Sequence, residues 1–444
     1  FRRGAWHGHT GLARRREGLS RRILHWVSSG VGWSLPLAIC AQTEYYYTPT
    51  RILRQANVEI DPSPSAAISV TIPLHDLKGL LPDQLRQIAT DLGEPSYRGD
   101  QLFEWLHVHQ ARDLDGMTNL PARFRQVLAE AGAQMPGLEL LESSASDTGK
   151  AVKFLFDLGQ GENGQGLGQV EAVLIIDGDR RTACLSSQVG CALDCKFCAT
   201  AQMGFVRNLH AGQIVEQLHR LHQEAQRRGE RLTNIVMMGM GEPLLNYEQV
   251  TCALRLARAS DGQLQIGGRK MTVSTAGHVP GILRLSEDDL NVGLAISLNA
   301  TEDETRSQIM PINRKWPIAD LMAAAKTYFD RKGRRVTFEY VLMDQVTDLD
   351  ADADRLAVLT SSIPCKINLI PYNELAPGLQ MSDRVYRRPS SARLDRFTRR
   401  LKNATRHTVT RRDSRGRDID AACGQLHRRV TDAQSAVSAT PQPA

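Results

Sequence analysis

Three of the chain's eight cysteines, Cys191, Cys195 and Cys198, fall within eight residues of one another, inside the stretch CLSSQVGCALDCKFCAT from Cys184 to Thr200. Thiolates are soft ligands that suit zinc or iron–sulfur chemistry. A structural zinc ion asks for a closed tetrahedral set, which Cys184 or His210 could complete. A four-iron cubane on three protein thiolates leaves one iron open to an exogenous ligand. Spacings of four and three also describe one face of a helix, where free cysteines pack as small hydrophobes. Gly190, Ala192, Asp194 and Ala199 around the cysteines favour a ligand loop.

Other residues with chemical potential are dispersed. Gly239, Gly241, Glu242 and Pro243 follow a strand ending near Met238. Glycines there permit close approach of backbone to a ligand, and Glu242 offers an acceptor for a ligand amine; a plain strand-to-helix turn reads the same way. Ser274, Ser297, Asn299 and Asn368 fall at or near the ends of later strands. On a barrel they would converge on one mouth, although each alone reads as a cap or turn residue. Glu171 opens the apolar strand VEAVLII, where an acid also fits a solvent-facing position. Cys423 sits in DIDAACGQL, far from the cluster, while Cys252 and Cys365 read as packing residues.

The elements that must position these groups alternate in type. Between about 73 and 140 the pattern is helical, with LPDQLRQIATDLG, QLFEWLHVH and a run from Pro121 to Ala131. Phe103, Trp105 and Leu106 read as packing residues in this small module. Strands Val152–Phe156 and Val170–Ile176 flank a glycine-rich turn, Gly159–Gly168. Beyond the cysteines come helix Ala211–Arg228, strand Asn234–Met238, helix Tyr247–Ala257 and strand Lys270–Ser274. Strand Gly293–Ser297, helix Ile318–Phe329, strand Val336–Tyr340, helix Asp350–Leu359 and strand Lys366–Ile370 complete the series. This alternation predicts parallel β/α units in an open or partial barrel, since no Gly-x-Gly-x-x-Gly turn follows an early strand.

Composition sets bounds. The 444 residues suffice for one large catalytic domain and a smaller module. Apolar content of 41% and charged content of 23% are ordinary for a globular chain. A net charge of +6 is compatible with a polyanionic partner such as RNA. The runs Arg387-Arg388, Arg399-Arg400-Leu401-Lys402 and Arg411-Arg412 are candidates for phosphate contacts or solvated faces. Clustered, unevenly spread cysteines argue against a secreted disulfide scaffold and for a reducing, cytoplasmic setting. No stretch is apolar enough over enough length to span a bilayer. Residues 1–72, with seven arginines and one acid in the first 40, are expected to be a disordered or spurious extension. Residues 428–444 are expected to be a disordered tail.

CALDCKFCAT resembles the Cys-x3-Cys-x2-Cys element of the radical S-adenosylmethionine superfamily. The similarity runs further, from about residue 73 to 427, to the bacterial dual-specificity RNA methyltransferases that modify C2 of adenine in 23S rRNA and tRNA. Its carriers are SYRGDQLFEWLH (96–107), MGFVRNLHAGQIVEQ (203–217), MGMGEPLLNYEQV (238–250) and TVSTAG (272–277). PINRKWPI (311–318), KINLIPYN (366–373) and RRDSRGRDIDAACGQL (411–426) extend it. The resemblance implies a partial (β/α) barrel of the radical-SAM type at 141–383, a helical RNA-binding accessory domain at 73–140, and a catalytic-cysteine segment at 384–427.

It further implies one 4Fe–4S cluster on Cys191, Cys195 and Cys198, and two S-adenosyl-L-methionine molecules per turnover, as methyl donor and radical source. Gly241 and Glu242 would meet the methionyl amine, with Ser274, Ser297, Asn299 and Asn368 lining the same pocket. Relatives often carry histidine where this chain has Asn299. Cys423 would accept a methyl group, from which a methylene radical forms and adds to adenine. Glu171 would take the proton from C2, and Cys184 would attack Cys423, releasing 2-methyladenosine with a disulfide bond. A low-potential donor such as flavodoxin or ferredoxin would supply electrons to a monomeric enzyme. The sister group that methylates C8 of adenine and a non-catalytic, zinc-stabilised RNA-binding protein are the competing readings.

Overall fold

The computed structural model describes residues 74–160, 165–259, 262, 264–375 and 384–427. The expected extension 1–72, with Cys40, and the expected tail 428–444 lie outside them. Three short helices come first: α1 (Pro82–Asp91), α2 (Tyr97–His107) and α3 (Ala122–Glu130). Pro82 opens α1, where its missing N–H costs no hydrogen bond. Leu85, Ile88, Leu102, Phe103, Leu106, Phe124 and Leu128 are buried in one core, as apolar residues at helical spacing require. Gly99 lets α1 and α2 approach closely: a Cβ there would lie 2.3 Å from the Arg86 backbone nitrogen.

The module is joined to the rest by buried charge. The Asp76 carboxylate accepts from Gly79 N–H at 3.2 Å and from Gly212 N–H at 2.8 Å, the latter at the start of the long helix α5 (Ala211–Arg227). Lys78, almost fully buried, meets Glu216 of α5 at 2.9 Å. Arg220 holds the other Glu216 oxygen at 3.0 Å.

The strands are β1 (Glu139–Ala145), β2 (Ala151–Asp157), β3 (Gln169–Asp177) and β4 (Arg180–Cys184), then β5 (Gln188–Gly190) and β6 (Phe205–Asn208) around α4 (Ala199–Gln202). After α5 come β7 (Asn234–Met237), α6 (Tyr247–Arg258), β8 (Met271–Thr275), α7 (Val279–Glu287), β9 (Gly293–Ser297), α8 (Asp303–Ile309) and α9 (Ile318–Lys332). The series closes with β10 (Val336–Leu342), α10 (Asp350–Thr360), β11 (Cys365–Pro371), α11 (Ser391–Ala404) and β12 (Thr408–Arg411). Ten strands form one sheet in the order β1-β2-β3-β4-β7-β8-β9-β10-β11-β12. β5 and β6 form a separate antiparallel pair. Within the ten-stranded sheet the first four pair antiparallel and the later pairings, from β4–β7 to β11–β12, are parallel. Its end strands do not pair with each other, so the barrel is partial, as expected.

Parallel strands with crossover helices are covered by apolar contacts, and their sequences are correspondingly apolar. Ile235, Val273, Ile296, Phe338 and Ile367 are fully buried, as are Ile214 and Leu218 of the covering helix α5. Each such side chain contributes on the order of 2 kcal/mol of burial free energy. The expected strands and helices are all present, most within a residue or two; α2 begins four residues before the expected Gln101 and α9 runs three residues past the expected Phe329. Several elements lacked a sequence signal. β1 is an exposed edge strand without apolar alternation. α7 begins with Val279-Pro280-Gly281, whose residues read as a turn. α11 hides in a basic run, its apolar stripe reduced to Leu394, Phe397 and Leu401. No helix among the described residues is long and apolar enough to cross a membrane.

Removing Lys78 strands a buried carboxylate that Arg220 alone must then balance. Lys78→Met is expected to lower stability by about 3 kcal/mol, and the double variant Lys78→Met/Glu216→Met to recover most of that. Urea unfolding midpoints of the two variants and the parent measure it.

Candidate active site

The three clustered cysteines lie in the loop between β5 and β6, and a close backbone contact joins its ends. Cys191 N–H donates to Gly204 O at 2.9 Å. Gly190, at φ +73°, has no room for a side chain, since a Cβ would meet that same carbonyl oxygen. Lys196 N–H reaches Ile309 O at 2.9 Å, pinning the middle of the loop to α8. All three cysteines line one cavity of about 180 Å³ at the C-terminal ends of the parallel strands.

Burial pushes these thiols up: Cys191 to about 12, Cys195 well above its ordinary value and Cys198 in the same direction. For Cys195 the neighbouring Cys198 and Cys191 add to the effect. Such thiols ionise when a bound cation draws off the protons, the behaviour of a metal-ligand set. Among the described residues no group of three or more His, Cys, Asp or Glu side chains is gathered as a single metal ion would require. Ligands of a cubane bind separate irons and need no such convergence, so the set fits a cluster better than zinc. His210, the proposed fourth zinc ligand, lines a different cavity beside His75.

The turn after β7 forms the next wall. Gly239 and Gly241 line the cavity and also meet a packing demand. A Cβ on Gly239 would meet Ser186 Oγ at 2.6 Å, and one on Gly241, at φ +95°, would meet Gln188 Cβ at 2.5 Å. The turn thereby lies flat on residues 185–188, and Glu242 N–H donates to Gln188 Oε1 at 2.8 Å. The Glu242 carboxylate accepts from Leu244 N–H at 3.1 Å and Ala276 N–H at 2.8 Å. Burial still pushes this carboxyl up to about 7. Glu242 lines the cavity, as do Gly241, Ser274 and Ser297.

Asn299 lines it too, at φ +56°, but its side chain is engaged. Its Oδ1 accepts from Val341 N–H at 3.0 Å, and its Nδ2 lies 3.4 Å from Met310 Sδ. Asn368 is absent from the lining. It sits mid-strand opposite Glu339 in the β10–β11 register and donates to Glu339 Oε1 at 2.9 Å. The asparagine that reaches the cavity wall from this part of the chain is Asn373, two residues past the end of β11. Its Nδ2 donates to Ser414 Oγ at 2.9 Å and Cys423 O at 3.2 Å, while its Oδ1 is buried without a partner. Glu339 was not anticipated either: it lines the cavity with Oε2 buried and unpartnered. Being just past a strand end was the available signal for Asn373; Glu339 in VTFEYVL had none.

A third unanticipated residue is Arg306, fully buried on α8. Its guanidinium donates to Ala276 O at 2.7 Å, Leu298 O at 2.9 Å, Ser297 O at 3.1 Å and Asn313 Oδ1 at 2.9 Å. Burial lowers its pKa to about 10, leaving it charged at neutral pH, and it faces Cys195.

Cys423 enters the same cavity from the C-terminal segment and is solvent-accessible there. Surrounding protein nonetheless pushes its thiol up, with Arg412 opposing and Glu339 and Cys198 reinforcing. Cys184, buried at the end of β4, is pushed up to about 12 by burial and by Cys423, with Arg412 again opposing. The disulfide expected of this pair at product release is not present in the structure, where both thiols are free.

Glu171 lies outside the cavity lining, buried on β3. Lys153 pairs with it at 2.9 Å and His427 N–H donates to its Oε2 at 2.8 Å. Burial outweighs both and raises the carboxyl. Cys252 donates to Gly79 O at 3.1 Å and Cys365 is buried, so both are packing residues. Of the basic runs, Arg400 is paired with Asp354 and Arg411 with Asp395, each at 2.5 Å, and Arg388 with Asp413 at 3.6 Å. Arg412 lines the cavity.

Residues 185–357 match the radical SAM superfamily model, and residues 75–133 match the ribosomal RNA large subunit methyltransferase N-terminal domain. A probable dual-specificity RNA methyltransferase RlmN of Symbiobacterium thermophilum is 43% identical over 357 residues, covering 80% of this chain and 91% of the relative. The dual-specificity RNA methyltransferase RlmN of Anaeromyxobacter sp. strain Fw109-5 is 45% identical over 359 residues, with the same coverages. The crystal structure of a radical SAM methyltransferase from Sphaerobacter thermophilus is 42% identical with a TM-score of 0.72, covering 80% of this chain and 99% of that one.

Two expected outcomes follow from the geometry. Replacing Arg306 by Met leaves its buried carbonyl acceptors unpaired and should cost at least about 3 kcal/mol in chemical denaturation. Glu242 is charged mainly above pH 7, and only the charged form makes a strong bond to an amine. The affinity of cluster-loaded protein for S-adenosylmethionine should therefore fall more steeply from about pH 8 to about pH 6 than that of Glu242→Gln. At the higher pH the variant should bind about tenfold more weakly in equilibrium titrations.

Proposed function

The chain belongs to the dual-specificity RNA methyltransferase RlmN family of the radical SAM superfamily, and from that membership we propose that it forms 2-methyladenosine in 23S rRNA and tRNA through a methylated Cys423. It is a radical S-adenosylmethionine methyltransferase, so a 4Fe–4S cluster and S-adenosylmethionine are its cofactors. One observation carries the finer reading. Cys423 opens into the cavity that Cys191, Cys195, Cys198 and Glu242 line, and it lies close enough to a second free thiol, Cys184, to raise that thiol's pKa. A zinc-stabilised RNA binder gives that separated pair no work.

When bound, two S-adenosylmethionine molecules per turnover supply a methyl group and, with an electron from the cluster, a hydrogen-abstracting radical. Cys191, Cys195 and Cys198 hold the cluster, and Glu242 accepts from the methionyl amine. Ser274, Ser297, Asn299 and Asn373 wall the pocket and keep water out of it. Asn368 acts one layer below, by holding Glu339. Cys423 accepts the methyl group as a thioether, because adenine C2 is too poor a nucleophile to take it directly. Glu171 takes the proton from C2. Cys184 attacks the Cys423 sulfur to free the product, which requires the two sulfurs to close to bonding distance during turnover. The helical module at 73–140 grips the folded RNA, and Arg412, at the cavity, meets its charge. A low-potential electron donor, a monomeric state and a cytoplasmic setting complete the proposal.

The test is mass spectrometry of nucleosides from 23S rRNA and tRNA incubated anaerobically with cluster-loaded protein, reductant and S-adenosylmethionine. The expected product is 2-methyladenosine from the parent and none from Cys423→Ala. No methyladenosine from folded, cluster-loaded parent would sink the activity, and 8-methyladenosine would move the protein to the sister reaction.

A further inference from the structure

The proposed base is paired with a lysine that the proposed reaction does not yet use. Lys153 on β2 and Glu171 on β3 lie on the same face of an antiparallel pair, in which Lys153 stands opposite Val173 and Leu155 opposite Glu171. That offset brings long side chains at diagonal positions together. Lys153 Nζ is 2.9 Å from Glu171 Oε1, with the two side chains 11% and 3% exposed. The other carboxylate oxygen accepts from His427 N–H, four residues beyond Cys423. Behind the carboxylate, Ser186 Oγ donates to Glu171 O at 2.6 Å and accepts from Met240 N–H at 2.8 Å. The Glu171 backbone is thus fixed to the turn that carries Gly241 and Glu242.

We propose that Lys153 is a positioning residue for RNA methylation: its ammonium keeps Glu171 charged and aimed, so that Glu171 takes the proton from adenine C2. The inference rests on the reading of Glu171 as that base. A carboxyl this deeply buried favours its neutral form, and a protonated acid cannot accept a proton. Two groups facing it oppose the burial: Lys153 from β2, and His427 from the C-terminal segment through its backbone N–H and its ring. Of the two, only Lys153 forms an ion pair with the carboxylate. The His427 bond is available only while the segment around Cys423 stays in its present position. Were that segment to shift, Lys153 would be left as the partner that maintains the carboxylate. In the step itself the C2–H bond breaks, the proton bonds to a Glu171 oxygen, and the C–H electron pair stays in the adenine ring. Lys153 transfers nothing and remains an ammonium.

The sign of the effect follows. Without Lys153, Glu171 is protonated at higher pH than before, so base function returns only as pH rises. The experiment uses cluster-loaded full-length protein with 23S rRNA, and compares Lys153→Met, Lys153→Gln, Lys153→Arg and Glu171→Gln. Three quantities are measured: methyl on Cys423 by peptide mass, protein–RNA adduct on denaturing gels, and the pH profile of methyladenosine formation. Lys153→Met and Lys153→Gln should load methyl on Cys423 as the parent does, retain adduct near neutral pH, and shift the product profile upward by about one to three pH units. Lys153→Arg, which keeps the charge, should stay near the parent. An unshifted profile in both neutral variants overturns the proposal, as does loss of Cys423 methylation together with product, which marks a structural role. Full product formation by Glu171→Gln defeats instead the reading of Glu171 as the base, and a trapped Glu171→Gln beside normal neutral Lys153 variants defeats this inference alone.

Discussion

The site depends first on one buried cation. Arg306 reaches out of α8 to the carbonyls that follow β8 and end β9, and to Asn313 beyond the helix. Carbonyls past the ends of parallel strands have no ladder partner and cannot be left dry. A guanidinium, with five donors in a rigid fork, satisfies several of them at once and fixes their spacing. Ser274, Ser297 and Asn299 therefore hold their positions around the cavity. The same positive charge faces Cys195, so the group that sets the strand ends also tempers the charge of the cysteine loop.

Desolvation is the common force on the reactive groups. Burial raises the three clustered thiols, Cys184, Cys423, Glu242, Glu339 and Glu171. Each is held toward its neutral form until a cation arrives, whether a metal, a ligand or a neighbouring side chain. Arg412 supplies that cation to Cys184, Cys423 and Glu339 together, and Lys153 supplies it to Glu171. The arrangement keeps unused nucleophiles quiet in a cavity built to contain reactive species.

The C-terminal segment completes the wall by returning to parts of the chain far from it. Ala199 N–H donates to Gly424 O at 2.8 Å and Thr200 Oγ1 to Leu426 O at 2.6 Å, next to the cysteine loop. Asn373 holds Cys423 O, and His427 N–H holds Glu171. A few hydrogen bonds thus attach the segment to the cysteine loop, to the end of β11 and to β3. Such bonds are each worth about 1 kcal/mol, weak enough for the segment to be released and re-formed during turnover.

The sequence alone determined the reading of the cysteine triplet, the alternation of strands and helices, and the family. Ligand spacing is local, and apolar periodicity is imposed by burial on each element separately. Tertiary structure decided which asparagine reaches the cavity, because that depends on where β11 ends: Asn368 faces Glu339 within the sheet and Asn373 lies beyond it. It also decided that Gly239 and Gly241 are glycines for the sake of residues 185–188, that Arg306 binds strand ends, and that Lys153 meets Glu171. Arg388, Arg400 and Arg411 of the basic runs are paired with acids, whereas Arg412 lines the cavity. None of these pairings leaves a trace in local pattern, because each joins residues that only the register of strands and the packing of helices bring together.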